Sequence, residues 1–216
     1  MNNLGKIKIL PVREHVAGVL RKAILIGELQ EGQEITLKEI ASEVGVSSMP
    51  VREAFQMLAL EGLIKLRPNK GAVVLEINEK TIRDHYATRG LLEGEAAALA
   101  SKNSVDVSEI EGIQALAEEA LAANNYNEYN KHNQAFHVAI WAAAGNAKIA
   151  NMLASLWNGM SMGPRITKED YALLSNKEHR KIATAIKNHD AAKARAAMHK
   201  HIARSMEDIL KRRNNR

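Results

Sequence analysis

Apolar positions follow two rhythms along this chain. After Pro11, the residues Val12, Val16, Val19, Leu20, Ala23 and Ile24 recur at helical spacing and predict a helix over 12–27. Thr36-Leu-Lys-Glu39 has the form of a capping box, opening a short helix that ends at Val44 before Gly45. Ser47 or Ser48 caps a further helix, from about Met49 to Glu61, which Gly62 stops. Pro50 is tolerated there because first-turn N–H groups have no helical partner anyway. The rhythm then changes to β-branched runs. Ile64-Lys-Leu66 and Ala72-Val-Val-Leu75, on either side of Arg67-Pro-Asn-Lys-Gly71, read as a β-hairpin. From there on the pattern is alanine-rich and helical, predicting six helices at about 81–101, 106–123, 126–145, 147–161, 170–188 and 190–213.

The predicted fold class is therefore mainly α. Residues 1–75 form a winged helix-turn-helix, 76–80 a linker, and 81–216 an antiparallel all-α bundle of about six helices, since short connections make neighbours run opposite ways. A helix-turn-helix places the start of its second helix against base edges in the major groove. The hairpin tip, with Arg67 and Lys70, is basic and suited to phosphate or the adjacent minor groove.

Composition narrows the classes. Hydrophobic residues are 46% of the chain but aromatics only 4%, so the core rests on Ala, Leu, Ile and Val. The absence of cysteine excludes disulfide scaffolds, thiol nucleophiles and cysteine-bound metals. No apolar run reaches the roughly 18 residues a membrane helix needs. MNNLGKIKIL lacks the apolar segment of a signal peptide, so a cytoplasmic location is expected. The net charge of +5 is carried by the last 22 residues, with 7 Lys/Arg against 2 Asp/Glu, so charge alone is a weak pointer to nucleic acid.

Histidine placement points to a second site. Asn133 and His137 are four apart and share a helix face. His179 and His201 each lie 11 residues from Asp190, near which the turn between their helices is centred. In an antiparallel pair they then meet at one level, roughly 16 Å from the turn at about 1.5 Å per residue. Three imidazoles at one depth suit a divalent metal. His132, His189 and His199 fit no ligand position and are expected at the surface, and His15 on the first helix. Arg89 and Glu93, with His85 one turn earlier, form a row on the bundle's first helix. There Arg89 either clamps a ligand carboxylate or pairs with Glu93. Tyr86, Trp141 and Trp157 are the main aromatic candidates for the pocket.

The segment Val46-Ser-Ser-Met-Pro-Val-Arg-Glu-Ala-Phe-Gln-Met-Leu-Ala-Leu-Glu-Gly-Leu-Ile64, followed by Pro-Asn-Lys-Gly71, resembles the DNA-reading part of GntR-family bacterial transcription regulators. The rest of the chain resembles the FCD ligand domain of the FadR-like subgroup. The resemblance implies that Arg52 reads the operator, by bidentate pairing with guanine. Lys38 stands where many relatives have arginine. Ser47, Ser48, Met49 and Pro50 form a phosphate-facing helix N-terminus, although relatives often carry arginine at the Ser48 position. Lys70 and Gly71 match the wing tip. In the bundle, the family's metal set corresponds to His137, His179 and His201, with Asn133 where an aspartate is usual, and an arginine is common at the Arg89 position. The resemblance also implies homodimers on a roughly palindromic double-stranded operator.

With only neutral ligands, a zinc or nickel ion keeps its charge and open positions. A small organic acid is therefore the expected effector, contacted by Arg89 and Glu93. Sugar acids, hydroxy acids and short dicarboxylates suit a pocket poor in aromatics. Two other readings compete. A metal-dependent hydrolase would use Glu93 or Glu178 as base, and an architectural DNA-binding protein would use the basic tail. The winged module disfavours the first, and the buried histidines disfavour the second.

Overall fold

The computed structural model describes residues 10–103, 107–157 and 168–214. The N-terminal part consists of α1 (Val12–Leu25), β1 (Glu34–Ile35), α2 (Leu37–Val44), α3 (Ser48–Leu60), β2 (Ile64–Arg67) and β3 (Gly71–Val74). The Thr36 capping box forms as read: Glu39 N–H donates to Thr36 Oγ1 at 3.2 Å, and Thr36 N–H donates to Glu39 Oε2 at 3.1 Å. Gly45 ends α2 in the left-handed region, at φ 71°. Val16, Leu20 and Ile24 of α1 bury against Val51, Ala54, Phe55 and Leu58 of α3, and Ile35, Ile64 and Val74 close this core from the sheet.

The sheet has three antiparallel strands in the order β1-β3-β2, with Ile35 opposite Ala72 and Arg67 opposite Gly71. The hairpin was legible in the sequence, whereas β1, only two residues long, was not. Its docking depends on Gly71, at φ 96°, because a Cβ there would strike the Ile35 carbonyl.

The bundle contains α4 (Glu79–Lys102), α5 (Ser108–Ala122), α6 (Tyr126–Ala143), α7 (Ala147–Leu156), α8 (Lys168–Lys187) and α9 (Ala191–Asn214). Asn78 caps α4 by accepting from Thr81 N–H at 2.9 Å. The helix predicted over 147–161 stops at Leu156, and the break expected at Gly163-Pro164 lies outside the described residues. α4 and α9 run antiparallel and close together: Gly90 and Gly94 present bare backbone to Ile202, His199 and Arg195. His199 is therefore half-buried against α4, not at the surface as its spacing suggested, and His132 is also half-buried. His189 is exposed, and its Nδ1 lies 2.9 Å from the Ser101 carbonyl. His15 is an exposed residue of α1, as expected. Among the described residues, no helix is long and apolar enough to cross a membrane.

Candidate nucleic-acid interface and metal centre

The start of α2, the outer face of α3 and the wing enclose one cleft of about 620 Å³. Lys38, Arg52, Arg67, Lys70 and Gly71 all line it, so the structure gathers the sequence-predicted groups from three elements. Lys38 and Arg52 are exposed, and Glu53 turns away to Arg13, 3.8 Å from it. Arg67 is engaged by Glu34 at 2.5 Å, which fixes it at the base of the wing and leaves the tip to Lys70. Ser47 flanks α3 without a side-chain cap bond, so the first N–H groups of α3 remain open to an anion. Ser48 and Met49 are exposed beside them, Met49 at 64%, and Pro50 is half-buried.

The second site lies inside the bundle. His137 on α6, His179 on α8 and His201 on α9 are all buried, and each offers a ring nitrogen within 4.8 Å of the other two. His179 Nε2 and His201 Nε2 are 3.4 Å apart, the meeting expected from their equal distance to the α8–α9 turn. Carboxylates hold the far side of two rings. His137 Nδ1 is 3.0 Å from Glu93 Oε2, and His201 Nδ1 is 2.8 Å from Glu178 Oε2. Each carboxylate fixes the tautomer that leaves Nε2 facing the centre, the arrangement common behind metal-ligating histidines. His179 Nδ1 is buried without a hydrogen-bond partner, and its ring stacks on Phe136 with centroids 4.2 Å apart. Burial pushes His179 and His201 well below the ordinary histidine pKa, so both stay neutral and able to ligate. Asn133 is buried one turn before His137 on the same face. The donor set fits a divalent ion: three neutral imidazoles converge, and two carboxylates orient them.

Glu93 is fully buried, with both oxygens used. Oε1 accepts from Arg89 Nε at 3.3 Å and Nη2 at 3.2 Å, while Oε2 accepts from Trp141 Nε1 at 2.8 Å as well as facing His137. Burial raises the Glu93 carboxyl, but His137, Arg89 and Trp141 outweigh it and hold the pKa at about 2. The Arg89–Glu93 pair thus forms, and Glu93 acts on His137 instead of projecting toward a ligand. Glu178 is likewise occupied, by His201 and by Arg204 Nε at 2.8 Å. Neither carboxylate is placed as the base a hydrolase would need.

Trp157 was only a candidate aromatic in the sequence, yet it links the histidine centre to α1 of the N-terminal module. Its ring lies 5.2 Å from that of His137 and 5.9 Å from that of Trp141, with the Arg89 guanidinium 4.7 Å above it. Its carbonyl accepts from Arg21 Nη1 of α1. Arg21 is fully buried and forks onto Glu61, just past α3, at 2.6 and 2.5 Å. Gly18 makes room, since a Cβ there would lie 2.9 Å from the Trp157 carbonyl oxygen. Sequence pattern gave no sign of Arg21, because helix-face charges are ordinarily solvated.

A winged DNA-reading module joined to a helical domain with a buried polar centre defines a ligand-controlled DNA-binding protein. Residues 12–74 match the family described as bacterial regulatory proteins, gntR family, and residues 84–204 match the FCD domain. The chain belongs to the GntR family, in the group with an FCD domain, and is a metabolite-responsive transcription regulator. It is similar to the probable D-xylose utilization operon transcriptional repressor of Paenarthrobacter nicotinovorans, at 30% identity over 88% of this chain and 87% of that one. It is also similar to the gluconate operon transcriptional repressor of Bacillus subtilis (strain 168), at 27% identity over 90% and 82%. Among solved structures, E. coli McbR/YncC superposes with a TM-score of 0.70 at 21% identity, over 94% of this chain and 99% of that one.

Proposed function

We propose that this regulator binds zinc or nickel at His137, His179 and His201, with Asn133 beside them, and responds to a small organic acid bound at that ion. The carrying observation is the buried convergence of three imidazoles whose Nε2 atoms face one point. When bound, the ion supplies a cationic centre with open positions, for which a carboxylate is a suitable oxygen donor. Arg89, buried and fixed between Glu93 and the Trp157 ring, borders the same space and favours an anion. Two relatives are named as repressors of operons for D-xylose utilization and for gluconate, which supports an effector of that chemistry.

On the DNA side, two copies of the chain bind the two halves of a roughly palindromic operator. Arg52 contacts guanine, Met49 offers an apolar contact to a thymine methyl, and Lys38, Lys70 and the α3 N-terminus meet phosphate. Trp157 joins the histidine centre to α1, which packs on α3, so an acid that binds two arrangements of its ring unequally shifts the DNA module between two settings. A thermal-shift screen of acids on the metal-loaded protein and His179→Ala tests the reading. Acids should stabilise only the former. Equal stabilisation of both, or neutral sugars outperforming every acid, would overturn it.

A further inference from the structure

We infer that Gln56 reads an adenine in each operator half-site, within about two base pairs of the guanine read by Arg52. The inference rests on the DNA-side reading above and adds a base-reading residue that the sequence did not single out.

α3 has two distinct faces. Val51, Ala54, Phe55 and Leu58 are buried in the core of the N-terminal module. Arg52 and Gln56, four residues apart, are exposed on the opposite face, and both line the cleft between α2, α3 and the wing. The neighbouring Glu53 does not compete for that space, since it is half-buried and faces Arg13. Four residues of helix advance about 6 Å, and base pairs stack at roughly 3.4 Å. A helix lying in the major groove therefore brings these two side chains to bases about two pairs apart.

Chemistry separates Gln56 from the rest of the cleft. Lys38, Arg52, Arg67 and Lys70 are cations there, and phosphate attracts a cation whatever the sequence. The uncharged polar residues of the lining are Thr36, Asn69 and Gln56. Thr36 Oγ1 is taken up by the capping box, accepting from Glu39 N–H at 3.2 Å and lying 2.8 Å from Glu39 Oε2. Asn69 sits in the wing turn at φ 59°, a conformation that asparagine adopts more readily than most residues. Gln56 serves neither a cap nor a turn, and its carboxamide makes no hydrogen bond among the described residues. That carboxamide carries an acceptor and a donor side by side. The oxygen accepts from adenine N6–H and the amide N–H donates to adenine N7, a bidentate match in the major groove. Being uncharged, Gln56 displaces no counterion from DNA, so what it adds is discrimination between bases and not general affinity.

The test uses wild type, Gln56→Ala and Gln56→Glu, each as the full chain. Each protein selects duplexes from a pool with a randomised core. Single-base variants of the wild-type sequence are then compared by fluorescence anisotropy at two salt concentrations. Wild type should select a guanine with an adenine within about two base pairs in each half-site, favouring that adenine roughly five- to hundredfold over other bases. Gln56→Ala should keep the guanine, lose the preference at the adenine position alone, and leave the salt dependence unchanged. Gln56→Glu should exchange the adenine for cytosine, whose N4–H donates to a carboxylate. Because Gln56 is exposed, both variants should melt at the wild-type temperature. The same selected sequence from all three proteins, or a Gln56→Ala that binds every duplex more weakly by one common factor, overturns the base contact. A wild-type sequence with the guanine but no nearby adenine overturns it too, and leaves Arg52 standing. If wild type enriches no sequence at all, both readings fall.

Discussion

Each imidazole of the candidate metal centre is set by different neighbours. Glu93 orients His137, Glu178 orients His201, and burial with a stacked phenyl ring governs His179. This has a consequence for pH. Burial lowers His179 and His201, and burial followed by the charges of Arg21 and Arg89 lowers His85 to about 3. Their folded pKa values lie below the unfolded value of about 6.5, so as pH falls the unfolded chain takes up protons first. The stability these residues contribute is complete above about pH 6.5 and is lost below it, through about pH 3 for His85. Urea unfolding of chelator-treated protein should therefore show stability falling steadily from pH 7 to pH 5. A flat profile would mean that these rings are solvated. In the DNA cleft, Arg52→Ala should cost about 1–3 kcal/mol per half-site and relax base preference, while Lys70→Ala weakens all sequences and reduces the salt dependence. Competition footprinting at several salt concentrations distinguishes the two, and an unchanged footprint for Arg52→Ala would refute its role. The three histidines were readable from spacing because helix periodicity converts separation along the chain into height in the bundle. The pairing of Glu93 with His137 and of Glu178 with His201 was not, since a helix-face carboxylate carries no signal until its neighbours are known.

Among the elements, the wing shows where sequence reading stops. Its hairpin was visible because β-branched runs flank a turn sequence. β1 was invisible because two residues carry no periodicity, and its pairing is decided by the absence of a Cβ at Gly71. Gly71→Ala should destabilise the N-terminal module by about 2 kcal/mol or more, combining a positive φ with a backbone collision. It should also detach Glu34 from Arg67, which bridge β1 and β2 at 2.5 Å. Hydrogen exchange would report this as lost protection at Ile35 and Val74, whose N–H donates to the Gln33 carbonyl beside β1, with the bundle unaffected; protection equal to wild type would contradict the assigned role of Gly71. The α4–α9 pair has similar logic. The bare backbone of Gly90 and Gly94 draws in His199, which helical spacing alone placed at the surface.

For the whole molecule, the decisive contact is the one that sequence pattern could not foresee. Trp157 gives its ring to the metal centre and its carbonyl to Arg21, which holds Glu61 at the end of α3. Glu61→Ala would leave a fully buried guanidinium short of its main partner and should cost about 3–5 kcal/mol. Arg21→Lys keeps the charge but loses the fork onto Glu61. It should bind acid and metal as wild type does, while the acid's effect on operator affinity, read by fluorescence anisotropy, shrinks; a full effect would place the coupling elsewhere. All of this depends on an ion at the three histidines. Native mass spectrometry of the protein as purified, beside His137→Ala, His199→Ala and His201→Ala, tests that most directly. One divalent ion per chain should be present in wild type and His199→Ala, in a dimer, and absent from the other two. A metal-free wild type, or His199→Ala losing the ion as fully as His201→Ala, would contradict it.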